Sequence, residues 1–429
     1  MQIKIKPSMV ARKITAPPSK SYTHRVIILA SLAQGQSVIR NCLLADDTLY
    51  TLKACQLLGA KTNLKKNKLE VIGTNGNLKV NPQKNKIFMG NSGTTMRLMT
   101  SVVALAKEEV ILTGDKRLQE RPMSDLIVAL KNLGIKVESI NKNGCPPIKV
   151  KGEDLNGGEV KISGKISSQF ISSLLLVSPF AKKDITIKII DKLKSKPYVD
   201  ITCNMMKKFG VQVKNNHYQE FLIKTGQRYK AQKCQVEGDY SSASYFFAAA
   251  AICPSKITVK GLNINSAQGD KYFLNLLTKM GCSVRKKKKE ITVIGKENLK
   301  SIKVDMRDYP DIVQSLSIVA SCAKGKTTIK NIGHLRYKET DRIRATATEL
   351  EKMNIKVKTT KDSITIDGGQ PKGATIETYN DHRMALSFAI LGLKAKGGTI
   401  IKNAQVISKS YPNFFKDLKK LGAKITEER

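Results

Sequence analysis

Six times along this chain an amphipathic helical stretch runs into a Gly or Asn and is followed at once by a short segment of alternating apolar and polar residues. Such a repeat restricts the fold more than any other feature of the sequence. The six stops are Gly59, Gly134, Gly210, Gly281, Asn354 and Gly422, spaced 68 to 76 residues apart. Residues 52–59 lead into Ala60-Lys61-Thr62-Asn63 and, past a polar turn, Leu69-Glu70-Val71-Ile72; residues 126–134 lead into Ile135-Lys136-Val137-Glu138 and then Ile148-Lys149-Val150-Lys151. Gly supplies the left-handed backbone that ends a helix, and the alternation after it favours a strand with one buried face. Units of about 70 residues are small for independent cores, so two domains of three units each is the economical arrangement. The expected fold class is α/β (α+β), with two similar domains.

Between the stops lie further apolar stretches, at residues 21–33, 93–106, 168–177, 241–252, 311–322 and 382–393, which the pattern predicts as helices. Each begins beside Ser, Asn, Asp or Thr, the residues that cap helix N-termini. The first turn of a helix offers unpaired N–H groups and the positive end of the macrodipole, so each start also suits an anion.

The formal charge is +40, yet of the 75 basic residues only 14 are arginines, and lysine is spread over almost every segment. The one dense run, Lys286 to Lys289, falls where a hairpin turn is expected. Trp is absent and aromatic residues make up 5%. Nucleic-acid readout favours arginine forks and stacking aromatics, so the excess lysine reads as solvated faces, and no nucleic-acid partner is expected. The longest apolar runs fall far short of the roughly 20 residues of a membrane helix. The opening Met1-Gln2-Ile3-Lys4-Ile5-Lys6 alternates like a strand, unlike a secretory signal, which makes the cytoplasm the expected location. Eight scattered cysteines without a CxxC pair read as reduced thiols, and the four dispersed histidines suggest no metal cluster.

Several helix starts hold more than a cap requires. Pro17-Pro18-Ser19-Lys20-Ser21-Tyr22-Thr23-His24-Arg25 joins a rigid turn to hydroxyls, a lysine and an arginine; a phosphate cradle and a plainly capped helix account for it equally well. Gly90-Asn91-Ser92-Gly93-Thr94-Thr95-Met96-Arg97 is a glycine-bearing loop that opens an apolar helix, but it lacks the spacing of a nucleotide-binding loop. The loop 114–122 holds three basic and two acidic residues, while Ser167-Ser168-Gln169 and Ser195-Lys196-Pro197-Tyr198 each precede or open a helix. Farther on come Tyr309-Pro310-Asp311, Lys338-Glu339-Thr340-Asp341-Arg342, Asn380-Asp381-His382-Arg383 and Lys409-Ser410-Tyr411-Pro412. The spacing places Lys338 and Arg342 on one helix face, with Glu339 beside them, as either a surface ion-pair lattice or part of a site.

Arginine distribution tilts this reading. Arg25, Arg97, Arg117, Arg121, Arg342, Arg344 and Arg383 are half of the 14 and fall in five short segments. A lysine-rich chain that keeps arginine there needs its rigid two-point fork, the group that matches carboxylate and phosphate. Asp311 and Glu339 then become candidates for proton transfer beside cations that hold an anion.

Taken in order, these segments resemble the 5-enolpyruvylshikimate-3-phosphate synthases, the 3-phosphoshikimate 1-carboxyvinyltransferases of the enolpyruvyl transferase superfamily. The motifs are SKSYTHR at 19–25, GNSGTTMR at 90–97, ERP at 120–122, SSQF at 167–170, SKPY at 195–198, EGDYSSASYF at 237–246, KETDR at 338–342, NDHRMA at 380–385 and SKSYPNFF at 408–415. The resemblance implies two domains of three βαβαββ units with the active site in the interdomain cleft, completed as the domains close. One domain would be 1–18 plus 238–429 and the other the inserted segment 19–237. It implies transfer of the enolpyruvyl group of phosphoenolpyruvate to the 5-hydroxyl of shikimate 3-phosphate, in the shikimate pathway to aromatic amino acids, by a monomer without metal or organic cofactor. By motif position, Lys20, Ser21, Arg25, Ser167, Ser168, Gln169, Ser195, Asp311 and Lys338 would bind shikimate 3-phosphate. Lys20, Gly93, Arg121, Gln169, Arg342, Arg383 and Lys409 would hold phosphoenolpyruvate. Asp311 would take the proton of the attacking hydroxyl, Glu339 would help protonate the enol methylene, and Lys20 would touch both substrates.

Two positions depart from the familiar pattern: His334 stands where some members carry an Asn that touches shikimate 3-phosphate, and Leu98 where some have Pro. The latter leaves sensitivity to the inhibitor glyphosate open. The related UDP-N-acetylglucosamine enolpyruvyl transferases use a loop cysteine five residues before an Arg-Pro pair; that position here is Lys116, and no cysteine lies between Cys55 and Cys145.

Overall fold

At all six stops the backbone is left-handed, with φ of +100° at Gly59, +92° at Gly134 and Gly210, +106° at Gly281, +64° at Asn354 and +108° at Gly422. Each stop closes in the same way, because the N–H of the next residue reaches back five positions to a helix carbonyl. Ala60 N donates to Cys55 O at 3.1 Å, Ile135 N to Leu130 O at 3.0 Å, Val211 N to Met206 O at 2.9 Å and Cys282 N to Leu277 O at 2.9 Å. Ile355 N to Leu350 O at 3.0 Å and Ala423 N to Leu418 O at 3.3 Å complete the set. This bond satisfies a carbonyl that the ended helix leaves without a partner, and it turns the chain straight into a strand.

The structure is a computed structural model that describes residues 1–428. The chain divides into two compact units: an inserted unit, Pro18–Val236, and a split unit made of Met1–Pro17 and the chain from Glu237 onward. The inserted unit carries helices α1 (Lys20–Leu32), α2 (Asp46–Leu57), α3 (Gly93–Val102), α4 (Ser124–Asn132), α5 (Ser168–Val177) and α6 (Lys196–Lys208). The split unit carries α7 (Tyr240–Ile252), α8 (Phe273–Lys279), α9 (Val313–Ala320), α10 (Arg342–Lys352), α11 (His382–Gly392) and α12 (Phe414–Lys420).

Each unit holds three four-stranded sheets, every one built from one parallel pair and two antiparallel pairs. A strand, a crossover helix, a parallel strand, a second helix and a closing hairpin make one repeat. Three strands come from distant sequence. Gln2–Lys6 pairs antiparallel with both Thr399–Ile401 and Lys424–Glu428, so it completes the sixth repeat, whose own hairpin has one strand. Arg12–Thr15 runs parallel to Lys256–Lys260, and Lys233–Gln235 parallel to Gln36–Arg40. The first two pairings bind the N-terminal strands to the split unit, and the third completes the first sheet of the inserted unit.

Burial follows the sequence pattern. In α1 every residue from Thr23 to Leu32 is buried, and in α7 every residue except Ser241. Helices apolar on all sides belong inside a unit, whereas α10, with lysine and glutamate on its outer face, covers it. The strands bury alternate residues and turn lysines outward, as in Lys136–Ser139 and Ile148–Lys151. Many of those lysines meet surface carboxylates, such as Lys149 with Glu138 at 2.8 Å and Lys188 with Glu159 at 2.6 Å. Exposed pairs of this kind contribute only about 0–1 kcal/mol each, so the large positive charge belongs to solvated sheet faces. All eight cysteines are free thiols, and no helix among the described residues is long and apolar enough to cross a membrane.

Some expected boundaries shift. The stretch 93–106 is α-helical only to Val102 and tightens into a 3-10 turn over Val103–Leu105; the stretch 311–322 begins as a 3-10 turn, Pro310–Ile312, before α9. Lys338 and Arg342 do not share a helix face. Lys338 is extended, and α10 starts at Arg342 because the Asp341 side chain accepts from Ile343 N and Arg344 N, both at 3.1 Å, and so caps the helix there.

Candidate active site

In the inserted unit the assigned residues cluster at the starts of α1, α3, α5 and α6. Lys20 opens α1, and its Nζ lies 3.1 Å from Asp47 Oδ2, a buried carboxylate in the first turn of α2. Arg25, one turn along, is 1% exposed: its Nε donates to Thr202 Oγ1 at 2.7 Å, Nη1 to Ser21 O and Nη2 to Tyr198 O, both at 2.9 Å. Arg25 thereby ties α1 to α6, and burial pushes its pKa down to about 10, still charged at neutral pH.

The Gly93 loop delivers the start of α3, capped by Ser92, whose Oγ accepts from Thr95 N at 3.4 Å. A buried chain of hydroxyls fixes that start: His24 Nδ1 to Thr51 Oγ1, Thr51 Oγ1 to Thr95 Oγ1 and Ser92 Oγ to Thr95 Oγ1, each at 2.7 Å. A Cβ built on Gly93 would fall on the guanidinium of Arg121, which therefore lies flat against this helix start. Arg121 is 4% exposed, and its Nε and Nη1 are buried without a hydrogen-bond partner among the described residues. Buried donors are normally paired, and a buried cation strongly so, which makes this guanidinium chemically suited to an anion.

Ser167 caps α5, its Oγ accepting from Gln169 N at 3.2 Å, and Ser168 is the buried first residue of the helix. Ser195, at the start of α6, does not cap with its side chain; it takes a left-handed backbone, φ +59° and ψ +39°, that turns the chain into Pro197. A serine held there costs about 1–2 kcal/mol of backbone strain. Ser21 is half-buried in the first turn of α1.

In the split unit one ion-pair network joins four assigned residues. Arg342, 2% exposed, pairs with Asp381 (Nε to Oδ2, 2.6 Å), Glu339 (Nη2 to Oε2, 2.9 Å) and Asp311 (Nη1 to Oδ1, 3.4 Å). Burial lowers the Arg342 pKa, but the charges of Asp381 and Glu339 outweigh it and the net shift is upward. Arg383 reaches Asp311 twice, Nη2 to Oδ2 at 3.0 Å and Nη1 to the carbonyl at 2.8 Å, and Nη1 also donates to Tyr245 Oη at 3.2 Å. Asp311 thus lies between two guanidiniums. Lys338 is half-buried beside Glu339 in the chain, and Lys409 is buried at the end of the turn Ala404–Lys409. His334, one of the two departures, is buried in the turn Gly333–Tyr337.

Sequence reasoning missed three residues of these clusters, Asp381, Asp47 and Asp270, and left a fourth, Arg97, without a role. Asp381 appears in a quoted motif but receives no role there, although it holds Arg342 and caps α11 by accepting from Arg383 N at 2.8 Å. Asp47 partners Lys20, and the acidic pair Asp46-Asp47 at a helix start was the available signal. Arg97 donates from Nη1 to Ser167 Oγ at 3.2 Å and to Gln169 Oε1 at 3.1 Å. Asp270 is buried and accepts from Ser241 Oγ; burial, reinforced by the Asp311 charge, pushes its carboxyl up to about 7. Nothing in the local sequence announces Asp270. Among the described residues no group of histidine, cysteine and carboxylates is arranged to hold a metal ion.

Two units of three βαβαββ repeats, with buried arginines and carboxylates gathered at helix starts, define an α/β enzyme class that handles small anions. The chain belongs to the EPSP synthase (3-phosphoshikimate 1-carboxyvinyltransferase) family, whose sequence pattern matches residues 5–427. It is 45% identical to the 3-phosphoshikimate 1-carboxyvinyltransferase of Methanocaldococcus jannaschii over 414 residues, 96% of each chain. It is 44% identical to that of Methanosarcina mazei over 432 residues, covering 100% of this chain and 99% of the relative. Among solved structures it is similar to an EPSP synthase from Acinetobacter baumannii, with a TM-score of 0.83 at 27% identity and full coverage of both chains.

Proposed function

We propose that this chain transfers the enolpyruvyl group of phosphoenolpyruvate to the 5-hydroxyl of shikimate 3-phosphate, releasing phosphate. The observation that carries the reading is Arg121, a buried guanidinium with unmatched Nε and Nη1 at the start of α3, where Gly93 leaves it room. A phosphate or carboxylate fits there, held by the fixed fork and the helix N-terminus together.

The assignment gives phosphoenolpyruvate to Lys20, Gly93, Arg121, Gln169, Arg342, Arg383 and Lys409, and shikimate 3-phosphate to Lys20, Ser21, Arg25, Ser167, Ser168, Gln169, Ser195, Asp311 and Lys338. Its chemistry follows from the ion pairs. The two oxygens of the Asp311 carboxylate are engaged one by Arg342 and the other by Arg383. An anion held by the same two guanidiniums competes for those N–H groups and frees the Asp311 oxygens to accept from the incoming hydroxyl, the position a general base needs. Glu339, bonded to Arg342, is the acid assigned to the methylene carbon. The guanidiniums stabilise the charge that develops as the tetrahedral intermediate forms and phosphate leaves. The reading calls for no cofactor and no nucleic-acid partner, and for a cytoplasmic monomer.

Asp311→Ala tests the central role. The variant should bind shikimate 3-phosphate within about threefold of wild type while kcat falls by roughly 100- to 10,000-fold, the usual contribution of a general base. Normal turnover would show that Asp311 is not the base.

A further inference from the structure

We infer that Arg97 is a positioning residue that turns both Ser167 and Gln169 into hydrogen-bond donors toward a bound anion. The inference rests on the functional reading above, which assigns Ser167 and Gln169 to the substrates and gives Arg97 nothing.

Arg97 is 2% exposed on α3, its guanidinium 5.2 Å from the centre of the Phe170 ring on α5. Its backbone is fixed as well, since Ser173 Oγ donates to Arg97 O at 2.6 Å. From this position a single nitrogen, Nη1, serves both Ser167 Oγ at 3.2 Å and Gln169 Oε1 at 3.1 Å.

A hydroxyl has two acceptor lone pairs and one donor hydrogen. Ser167 Oγ already accepts from Arg97 Nη1 and from Gln169 N, so what it has left to offer is the O–H. Gln169 is polarised in the same sense. With Oε1 facing the guanidinium, flipping the amide would set its NH2 against another donor, so the orientation is locked. Nε2 gives one hydrogen to Thr94 Oγ1 at 2.9 Å, and the second remains for a ligand. Phosphate and carboxylate oxygens only accept, and two neighbouring side chains that could each present either polarity are held as donors by one buried cation. Without Arg97, Ser167 and Gln169 would divide their time between orientations that attract the anion and orientations that repel it.

A mutant cycle on shikimate 3-phosphate binding, read by calorimetry beside steady-state kinetics, tests this. Arg97→Met removes the donor while keeping length and apolar packing. We expect its affinity to fall roughly 10- to 100-fold, with KM rising and kcat within about threefold, and the melting temperature near that of wild type. Gln169→Ala should lose a comparable amount, and the double variant should lose clearly less than the product of the two single losses, because part of the Arg97 effect passes through Gln169 and only the part through Ser167 is additional. Arg97→Lys, a point charge without the fork, should recover part of the affinity. Unchanged binding in Arg97→Met, or losses that multiply in the double variant, would overturn the inference and leave the functional reading standing. Should Arg97→Met not fold, Arg97→Lys and Gln169→Ala run the same cycle. A wild-type chain that binds no shikimate 3-phosphate overturns the functional reading, and this inference with it.

Discussion

Arg342 and Asp381 form a two-point pair, Nε to Oδ2 at 2.6 Å and Nη2 to Oδ1 at 3.2 Å, with both side chains buried. Because the same carboxylate caps α11 through Arg383 N, one side chain sets the positions of two cations assigned to phosphoenolpyruvate. Asp381→Ala should cost about 3–5 kcal/mol in chemical denaturation, since it leaves a buried guanidinium short of its main partner and removes a cap. Asp381→Asn keeps the cap and should cost clearly less. Equal costs for the two would mean that the ion pair carries the whole loss and the cap contributes little.

Gly93 and Arg121 make a second, steric relationship. Gly93→Ala requires no unusual backbone, but the added Cβ lands on the guanidinium. Arg121 must swing away, so the Michaelis constant for phosphoenolpyruvate should rise about tenfold or more, while shikimate 3-phosphate binding changes little. Steady-state kinetics with each substrate varied in turn will show whether the loss is confined to one of them.

Asp270 predicts a pH dependence of stability. Its carboxyl titrates at about 7 in the folded chain against 3.8 for an unperturbed aspartate, with Asp311, Arg383, Asp239 and Ser241 as its interacting neighbours. The folded state therefore holds this proton more tightly than the unfolded state does. Asp270 is harmless to stability near pH 4, becomes increasingly destabilising as pH rises to about 7, and reaches its full cost above that. Asp270→Asn stays neutral throughout. It should match wild type near pH 4 and exceed it by roughly 2–4 kcal/mol at pH 8, measured by urea denaturation at each pH. A gap independent of pH would contradict the assignment.

Gly210 offers a clean test of the repeat stops. A Cβ there would meet nothing closer than Arg228 O at 3.7 Å, so Gly210→Ala isolates the backbone cost of φ +92°. The expected loss is about 1–2 kcal/mol by thermal denaturation. The same experiment on Asn354→Gly, at φ +64°, should give a change of only a few tenths of a kcal/mol.

The stops were legible in the sequence because a glycine or asparagine after an amphipathic stretch has few other uses, and six at near-equal spacing leave little ambiguity. Gln2–Lys6 was legible as a strand, but its partners were not, since pairing with residues 399–401 and 424–428 leaves no local trace. In 338–342 the spacing put Lys338 and Arg342 on one helix, but the helix begins only at Arg342. Asp341 caps it there because its carboxylate serves two backbone N–H groups, so Lys338 falls outside the helix. Glu339 and Arg342 lie in one quoted motif, Arg383 in another and Asp311 in the segment 309–311, yet the residue that orders the two arginines, Asp381, was visible only as a letter in one of those motifs. Arg97 shows the same limit: its hydrogen bonds cross from α3 to the start of α5, 70 and 72 residues away in sequence, where spacing says nothing.

The most direct test of the account is phosphate release by the purified chain with phosphoenolpyruvate and shikimate 3-phosphate supplied separately and together. The account predicts stoichiometric release that requires both, with 5-enolpyruvylshikimate 3-phosphate as the other product and no added metal or cofactor. Release that proceeds with either substrate alone, or none when both are present, would contradict it.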